Sequence, residues 1–288
     1  MHFSLVFTKG LQLKNNHPVV ARKTEDWMEE LVAVLDYEYA PKMKKRTLLS
    51  ILVPLYNEEG SIEECLRRIL SAPLPHGTDL EIVVVDDGST DHSFRVASQM
   101  QAQHSHAIHL LRHCKNQGKG AAIRTALAFA SGEFCLIQDA DLEYSPEDYP
   151  NLLASLYAGQ ADAVFGSRFG VAAERRSFSF WHFVANQVLT LLCNRVTHLN
   201  LTDMETGYKA FRTSLVNSIP LRSERFGIEP ELTIKLAQRR ARIHETPINY
   251  RGRTYREGKK IRTKDAFHAA LVILRYGLFE RDIDRQTE

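Results

Sequence analysis

The chain of 288 residues is longer than a usual single domain, although one large α/β domain with appendages fits this length. Its 37 basic and 35 acidic residues nearly cancel, so we expect no overall field for nucleic acid and no nucleic-acid partner. The four cysteines are widely spaced without a CxxC pair, and the first ten residues lack the regions of a secretion signal. These features predict a soluble, cytoplasmic protein with reduced, mostly buried thiols.

The first 45 residues are predicted to be an extension of the main domain. They hold scattered charge and one modest helical pattern at residues 27–39, and the first strong strand follows the basic stretch MKKR at residues 43–46. One hypothesis is that Met43 is the working start of the protein, and the other is that the stretch is a loosely docked arm. We divide the chain into the extension 1–45, a main domain 46–250, and a basic loop with an amphipathic helix at 251–288.

From Leu48 the chain alternates apolar strand patterns with amphipathic helix patterns. The predicted strands are LLSILVPL, LEIVVVDD, AIHLLRH, EFCLIQD and DAVFGSR, and predicted helices include residues 58–70, 118–130 and 146–157. This alternation predicts parallel strands joined by crossover helices in an open α/β sheet. In such a sheet, ligands bind beyond the carboxyl ends of the strands.

Polar residues follow four of these strands, and the pair after the fourth is the most informative. Asp139 and Asp141 stand two positions apart, which in an extended strand turns both carboxylates to the same side. Like charges this close are costly unless a cation neutralises them, and Mg²⁺ or Mn²⁺ suits one or two carboxylates together with substrate phosphates. We therefore predict a metal site at Asp139 and Asp141 with Glu143 as a further ligand. A solvated turn with helix-capping acids is the alternative.

The stretch NQGKG at residues 116–120 opens a predicted helix. Its glycines, its backbone N–H groups and Lys119 are placed where a phosphate or a nucleotide could approach. The P-loop spacing GxxxxGK[ST] is absent, which disfavours ATP hydrolysis of that type. The first strand is not followed by GxGxxG, which argues against a dinucleotide oxidoreductase.

Taken in order, VPLYNEE, VVVDDGSTD, NQGKGAAIRTAL, QDADLEY and GSR resemble the motifs of glycosyltransferase family 2, whose members adopt the GT-A fold. The resemblance covers about residues 47–262. It implies a Rossmann-like α/β fold with a mostly parallel open sheet flanked by helices, and an inverting, metal-dependent transferase. Asp139-Ala140-Asp141 matches the family's DxD motif, which holds the metal on the diphosphate of a nucleotide-sugar donor.

The resemblance also implies roles for individual residues on the donor side. Asp141 would be the principal metal ligand and therefore catalytic, Asp139 would lie near the ribose or the metal, and Asp87 would contact the base. A metal there lowers the cost of the charge that accumulates on the leaving nucleoside diphosphate. The implied donor-binding residues are Pro54, Tyr56, Glu58, Asp87, Lys119, Gln138, Asp139, Arg253 and Lys259.

The second half resembles the branch that loads sugars onto polyprenyl phosphates, including dolichyl-phosphate mannose synthases. TDMETGYKAFR at residues 202–212 and RFGIEPELT at residues 225–233 resemble its acceptor side, and YRGRTYREGKKI at residues 250–261 resembles its basic loop. The loop departs from the usual pattern at Arg256 and Gly258, where glycine and serine are common. A solvated basic tail is the alternative interpretation of this loop.

The chemistry of the acceptor decides which groups the site requires. A phosphomonoester with a second pKa of about 6 is already anionic at neutral pH, so it needs positioning more than deprotonation. Arginine supplies charge-assisted donors to phosphate, and in the resembling branch arginines at the positions of Arg168 and Arg176 face the lipid phosphate. We therefore predict Arg168, Arg176 and Glu205 as acceptor-binding residues, with Arg168 also catalytic. Surface solvation is the alternative for Arg176.

A sugar hydroxyl as the acceptor would instead require a carboxylate base. Asp203 is the first candidate and is predicted to be catalytic, because its motif lies on the acceptor side of the family. Its alternative role is to orient the acceptor or the basic loop. Glu205, Glu229 and Glu231 are the other candidates, and an exposed helix start is the alternative for the last two.

Two apolar helical patterns suggest attachment to a membrane surface. They cover residues 178–192 and 266–274, and the second follows a cluster of lysines and arginines at residues 259–264. A basic cluster beside an apolar helix suits an anionic membrane surface, whereas ordinary core packing is the alternative. We predict a peripheral position on the inner face of the cell membrane.

Together these features predict transfer of a hexose from a nucleotide-diphosphate sugar, of UDP-glucose or GDP-mannose type, to polyprenyl phosphate. One alternative is a family 2 enzyme acting on a sugar hydroxyl in polysaccharide or glycolipid synthesis. Another is a non-catalytic nucleotide-sugar binding protein, although the combined metal and acceptor motifs count against it. Neither the lipid nor the oligomeric state is defined by these patterns.

Overall fold

The computed structural model describes residues 46–169, 180–253 and 263–280. The predicted extension 1–45 and the predicted site residues Arg176 and Lys259 lie outside the described residues. The division into three segments therefore stays a prediction.

Seven strands and eight α-helices lie in the described ranges. In chain order they are β1 Thr47–Leu55, α1 Ile62–Leu70, β2 Thr78–Asp86, α2 Ser93–Gln103, β3 Ile108–Arg112, α3 Lys119–Phe129, β4 Phe134–Ile137, α4 Tyr149–Tyr157, β5 Ala163–Ser167, α5 Phe180–Thr197, β6 Lys209–Arg212, α6 Thr213–Asn217, α7 Ile228–Gln238, β7 Ile243–Pro247 and α8 Thr263–Leu274. A 3₁₀ turn at Pro146–Asp148 precedes α4, and a π-helical turn at Arg275–Phe279 follows α8.

The strands form one sheet in the order β3-β2-β1-β4-β6-β5-β7. Strands β1, β2, β3 and β4 pair in parallel, as do β5 and β7, whereas β6 runs antiparallel to both β4 and β5. This arrangement confirms the predicted mostly parallel α/β sheet. The predicted sequence patterns did not locate β6 or β7, because KAFR and IHETP are short and lack a continuous apolar run.

Helices cover both faces of the sheet, which explains why the central strands are apolar at successive positions. Along β1, Leu49, Ile51 and Val53 face the layer that holds α1 and α4, and Leu52 faces the layer that holds α3, α5, α7 and α8. Three of the four cysteines are buried, as predicted, and Cys114 is exposed. Among the described helices, none has the length and apolar content needed to cross a membrane.

The topology brings the chemically active loops to one edge of the sheet. The chain order reverses at β1, which has β2 on one side and β4 on the other, and ligands bind at such switch points. Because β6 is antiparallel, its first residue, Lys209, pairs with Phe165 near the carboxyl end of β5. The loop at residues 202–208 therefore lies at the same edge as the loops that follow β1, β2, β4 and β5.

Candidate active site

A cavity of about 710 Å³ opens at this edge, a volume within the usual range for a ligand site. Most of the predicted site residues that the structure describes line it. They are Pro54, Tyr56, Glu58, Asp87, Lys119, Asp139, Asp141, Glu143, Arg168, Glu205 and Arg253. Two predicted residues, Gln138 and Asp203, lie behind the lining instead.

The DxD carboxylates lie on a turn after β4. Strand β4 ends at Ile137, so the turn and not an extended strand brings the two side chains to the cavity, with Leu142 at a φ of 61°. Burial, together with the charges of Asp139 and Glu143, raises the pKa of Asp141 to about 7. A cation at this position would relieve the repulsion, so the donor set fits a hard divalent ion.

Glu143 does not complete a three-carboxylate cage. Its carboxylate accepts a hydrogen bond from the Tyr250 hydroxyl at 2.6 Å and another from the Arg253 backbone N–H at 2.7 Å. Across residues 46–169, 180–253 and 263–280, no group of three or more His, Cys, Asp or Glu side chains is arranged to hold a metal ion. The predicted role of Glu143 as a ligand stays a prediction, and in this structure its carboxylate fixes the segment that leads into the basic loop.

Lys119 joins the start of α3 to the DxD turn and to α7. Its Nζ lies 2.8 Å from Asp139 and 2.9 Å from Glu229. Burial alone would lower the pKa of Lys119, but these two carboxylates hold it well above its ordinary value, so the side chain stays cationic. Glu229 is buried and lines the cavity, so the exposed-helix interpretation of this residue was wrong.

Gly207 allows the loop before β6 to approach the DxD turn. A Cβ at this position would lie 2.5 Å from the Asp139 carboxylate and 3.0 Å from the Lys119 ammonium, both too close for a side chain. The Gly207 N–H donates to the Tyr144 hydroxyl at 3.0 Å. The acceptor-side loop and the metal loop are therefore in direct contact.

Asp87 shapes the loop that precedes α3. Its carboxylate lies 2.7 Å from the His113 Nδ1 and accepts the backbone N–H groups of Gln117 at 2.9 Å and Gly118 at 2.7 Å. Gly118 has a φ of 99°, a conformation that glycine adopts without strain. The predicted contact of Asp87 with a base stays a prediction, and the structure adds that this carboxylate orders the loop.

Arg168, which lines the cavity, forms a buried ion pair with Asp203 behind it. The Arg168 Nε and Nη2 each lie 2.7 Å from the Asp203 carboxylate, which also accepts from the Arg168 backbone N–H at 3.0 Å and from Asn186 at 3.1 Å. Although burial would raise the pKa of Asp203, the charge and hydrogen bonds of Arg168 keep it below its usual value. A fully buried carboxylate held in this way is a poor proton acceptor. Its placement argues against the predicted base role and favours the alternative, in which it orients the acceptor site.

Glu205 is a carboxyl group of the cavity lining whose environment favours the protonated form. Burial and the nearby Glu229 carboxylate raise the pKa of Glu205 to about 8, although the Lys209 charge opposes this shift. Its Oε1 is buried and has no hydrogen-bond partner among the described residues. Lys209 lies below, donating to the carbonyls of Met204 at 2.7 Å and Thr206 at 2.6 Å. A neutral Glu205 does not repel an anionic acceptor.

Gln138 and Glu231 belong to the structural framework. The Gln138 side-chain carbonyl accepts the hydroxyls of Tyr149 at 3.0 Å and Tyr208 at 3.1 Å, and the predicted donor contact of this buried side chain stays a prediction. Glu231 is also buried, so its predicted exposure was wrong, and it accepts the backbone N–H of Ser223 at 2.6 Å. Both side chains support loops around the cavity without lining it.

Sequence reasoning did not identify the aromatic wall of the cavity. Tyr144 stacks on Tyr208 with ring centroids 4.8 Å apart, and the Tyr250 ring lies 5.2 Å from the Arg168 guanidinium carbon. The sequence indicated these tyrosines only indirectly, because each one lies in a motif whose predicted function was given to other residues. The wall places apolar surface next to the acceptor-side cation.

The fold and the cavity are those of a GT-A glycosyltransferase. Residues 50–219, more than half of the chain, match the family described as "Glycosyl transferase family 2". The chain belongs to this family and is a nucleotide-sugar-dependent glycosyltransferase. The match ends before α7, so it includes the DxD turn and Asp203 but not the segment around Arg253.

Solved structures of the glucosyl-3-phosphoglycerate synthase from Mycobacterium tuberculosis are similar to the chain. The complex with Mn²⁺, uridine diphosphate and glucosyl-3-phosphoglycerate is 22% identical with a TM-score of 0.60, covering 88% of this chain and 85% of that chain. The complex with Mg²⁺ and uridine diphosphate is 23% identical with the same coverage and TM-score. The complex with Mn²⁺ and UDP-glucose is 22% identical with a TM-score of 0.60 and covers 88% and 84%. At these identities the likeness establishes the fold.

Proposed function

We propose that the protein transfers a hexose from a nucleotide-diphosphate sugar to polyprenyl phosphate, with Mg²⁺ or Mn²⁺ as the cofactor. The observation that carries this proposal is that the DxD carboxylates and the Arg168 guanidinium, which is fixed by Asp203, line one cavity. Such a cavity supplies a cation for an anionic acceptor, and an acceptor of this kind requires no general base.

On the donor side, Asp139 and Asp141 would hold the ion. When bound, it would neutralise charge on the leaving nucleoside diphosphate. Lys119 stays cationic beside Asp139 and would position the donor. Support for the metal comes from the similar synthase structures, which contain Mn²⁺ or Mg²⁺ with uridine diphosphate. The donor would be of UDP-glucose or GDP-mannose type.

On the acceptor side, Arg168 would bind the phosphate and Asp203 would hold Arg168 in place. Asp203 accepts hydrogen bonds from two nitrogens of Arg168, and these two bonds fix the plane of the guanidinium. The Arg168 side chain therefore moves little when a ligand binds. A protonated Glu205 would donate a hydrogen bond to the same phosphate. The attacking oxygen of a phosphate dianion is already deprotonated at neutral pH, so this arrangement requires no general base.

A second candidate function is transfer to a small phosphorylated acceptor. The similar synthase has been solved with phosphoglyceric acid, and a cation such as Arg168 suits either type of phosphate. If the group that attacks the sugar is a hydroxyl, Glu205 is the carboxylate in the cavity whose pKa of about 8 suits a general base near neutral pH. The two candidates therefore differ in what Glu205 does and in whether an apolar tail is bound.

The surfaces of α5 and α8 favour the lipid. The helices pack together, and residues of both line the cavity, including Ala185 and Ala266. Large apolar side chains on the same helices and on the following π-helical turn are exposed to solvent. They are Phe183, Val188, Leu191, Phe267, Leu271, Leu274, Leu278 and Phe279. Exposed apolar side chains on helices that also line the cavity suit the inner face of a membrane, from which a polyprenyl chain could enter.

Sugar transfer with a panel of acceptors tests the proposed reaction. We expect labelled lipid when a radiolabelled UDP-sugar or GDP-sugar is mixed with polyprenyl phosphate, detergent and Mn²⁺, and no product when a chelator removes the metal. Phosphoglyceric acid and free sugars serve as competing acceptors in the same assay. Labelling of phosphoglyceric acid alone would exclude the lipid reaction and establish the second candidate.

Membrane attachment can be tested independently of catalysis. Leu191→Glu and Phe279→Glu place a charge on the two most exposed apolar positions of the α5 and α8 surface, at 70% and 80% exposure. Each change should weaken binding to phosphatidylcholine vesicles containing phosphatidylglycerol about tenfold in a flotation assay, because it removes apolar area from the contact. Phe129→Glu, at the end of α3, is the matched control and should bind as the unchanged protein does. Equal binding by all three variants would contradict the assigned surface.

A further inference from the structure

Arg253 lies at the junction of three carboxylates on the donor side. Its two terminal nitrogens each lie 2.9 Å from one oxygen of Glu58, and Nη2 also lies 3.3 Å from Asp141. Its Nε is 3.8 Å from Glu143, which is too far for a hydrogen bond. The guanidinium therefore offsets one of the three negative charges that surround it, and only 20% of the side chain is exposed.

The contact of Arg253 is with the Asp141 oxygen that accepts no backbone hydrogen bond from the described residues. The Asp141 Oδ1 already accepts the backbone N–H of Glu143 at 3.1 Å, whereas Oδ2 faces Arg253. A divalent ion of the magnesium type approaches a carboxylate oxygen to about 2.1 Å and brings two positive charges with it. An ion and a guanidinium on the same oxygen repel each other, so binding of the ion weakens the contact between Arg253 and Asp141.

The guanidinium also has unused capacity to bind an anion. The Arg253 Nε is buried and has no hydrogen-bond partner among the described residues. Buried donors without partners are uncommon, and the residue that carries this one, Arg253, lines the cavity together with the DxD carboxylates. A diphosphate in the cavity would supply an acceptor for this donor. It would also give Arg253 a new anionic partner when the contact with Asp141 is broken.

We propose that Arg253 is an internal counter-ion of Asp141 that competes with the divalent ion until a nucleoside diphosphate binds. The ion alone has to displace the guanidinium, whereas the ion together with the diphosphate gives the guanidinium a new anionic partner. Ion and nucleotide therefore bind with positive coupling, and each raises the affinity for the other by the same factor. This inference rests on the metal site of the proposed function, and it adds the order in which the site fills.

Direct measurement of Mn²⁺ binding tests the competition without any turnover. The signal of free Mn²⁺ in electron paramagnetic resonance gives the affinity of the full chain, alone and with UDP or GDP. Arg253→Gln should bind Mn²⁺ about tenfold more tightly than the unchanged protein when no nucleotide is present, a factor within the usual range of coupling between sites. The tightening of Mn²⁺ binding by nucleotide should shrink by a similar factor in this variant.

Two further variants keep the result interpretable. Arg253→Lys retains the charge and should keep the weak Mn²⁺ binding of the unchanged protein. Arg251 is exposed and lies two residues before Arg253, and its backbone N–H donates to the Glu143 carbonyl. Arg251→Gln removes the side-chain charge and keeps this backbone contact, so it should leave Mn²⁺ affinity unchanged. Thermal unfolding of each variant shows whether it is folded.

The outcomes separate this inference from the proposed function. If Mn²⁺ binds with nucleotide but Arg253→Gln alone binds it no more tightly than Arg251→Gln, the counter-ion role is overturned and the metal site stands. If the unchanged protein binds no Mn²⁺ even with both nucleotides, both ideas fail.

Discussion

Asp141→Asn is expected to reduce sugar transfer on the order of 10³-fold while leaving the protein folded. The amide removes the negative charge that would hold the divalent ion, and the loss of one preorganised charge at a leaving group costs about this factor. Stability should be retained or slightly increased, because Asp141 is crowded by Asp139 and Glu143 and its pKa is raised to about 7. The measurements are initial rates of transfer at saturating Mn²⁺ and the thermal unfolding midpoint.

The matched control for this prediction is Asp79→Asn. Asp79 forms an exposed ion pair with Arg46 at the far end of β2, so its removal should change neither rate nor stability measurably. A rate for Asp141→Asn within tenfold of the unchanged protein would show that this carboxylate does not carry the metal. Asp139 would then be the carboxylate to replace next, although its bond to Lys119 makes that variant harder to interpret.

The long β-branched strands and their terminal motifs were predictable from local pattern. Most of β1 is apolar and β2 contains a continuous apolar run at residues 82–85, because helices cover both faces of these strands, and this signal is strong. The residues that follow β1, β2, β4 and β5 share one edge because parallel strands end on the same side. Those two facts predict the position of the DxD carboxylates, whereas most other donor-side residues were predicted from the resemblance to the family.

The acceptor side was less predictable because it depends on β6. Strand β6 has four residues and runs antiparallel to its neighbours β4 and β5. This direction brings Glu205, in the preceding loop, to the cavity and buries Lys209 below it. Local sequence does not encode the direction in which so short a strand pairs. For Asp203 the sequence left two roles open, and its ion pair with Arg168, which forms only in the assembled fold, favours the orienting role.

The acceptor end of the cavity combines fixed positive charge with a protonated acid. Arg168 is held by Asp203 and lies near the Tyr250 ring, whereas Glu205 has a raised pKa. Burying the charged Arg168 side chain would be costly without a partner, and Asp203 offsets this cost because it supplies a full negative charge in bidentate geometry. The pair is therefore a structural requirement as well as part of the site, and a single substitution of Asp203 alters both.

Asp203→Asn is expected to destabilise the protein by ~3–5 kcal/mol, because the buried Arg168 guanidinium loses this carboxylate. The pKa of Asp203 is held below its ordinary value, so the stability it contributes is complete above the unfolded-state pKa of about 3.9 and is lost as the pH falls through the folded-state value. Urea unfolding at neutral pH should therefore show the full difference between the variant and the unchanged protein. At strongly acidic pH the two should converge.

A double variant separates the structural role of Asp203 from a role in proton transfer. Arg168→Met combined with Asp203→Leu replaces the buried pair by apolar side chains, which should recover most of the lost stability but no sugar transfer, because the phosphate loses its cation. Asp203→Asn should lose transfer mainly through a raised KM for the acceptor, with no shift in the pH dependence of kcat. If Asp203→Asn is as stable as the unchanged protein and loses kcat with a shifted pH profile, Asp203 is the catalytic base and the acceptor is a hydroxyl.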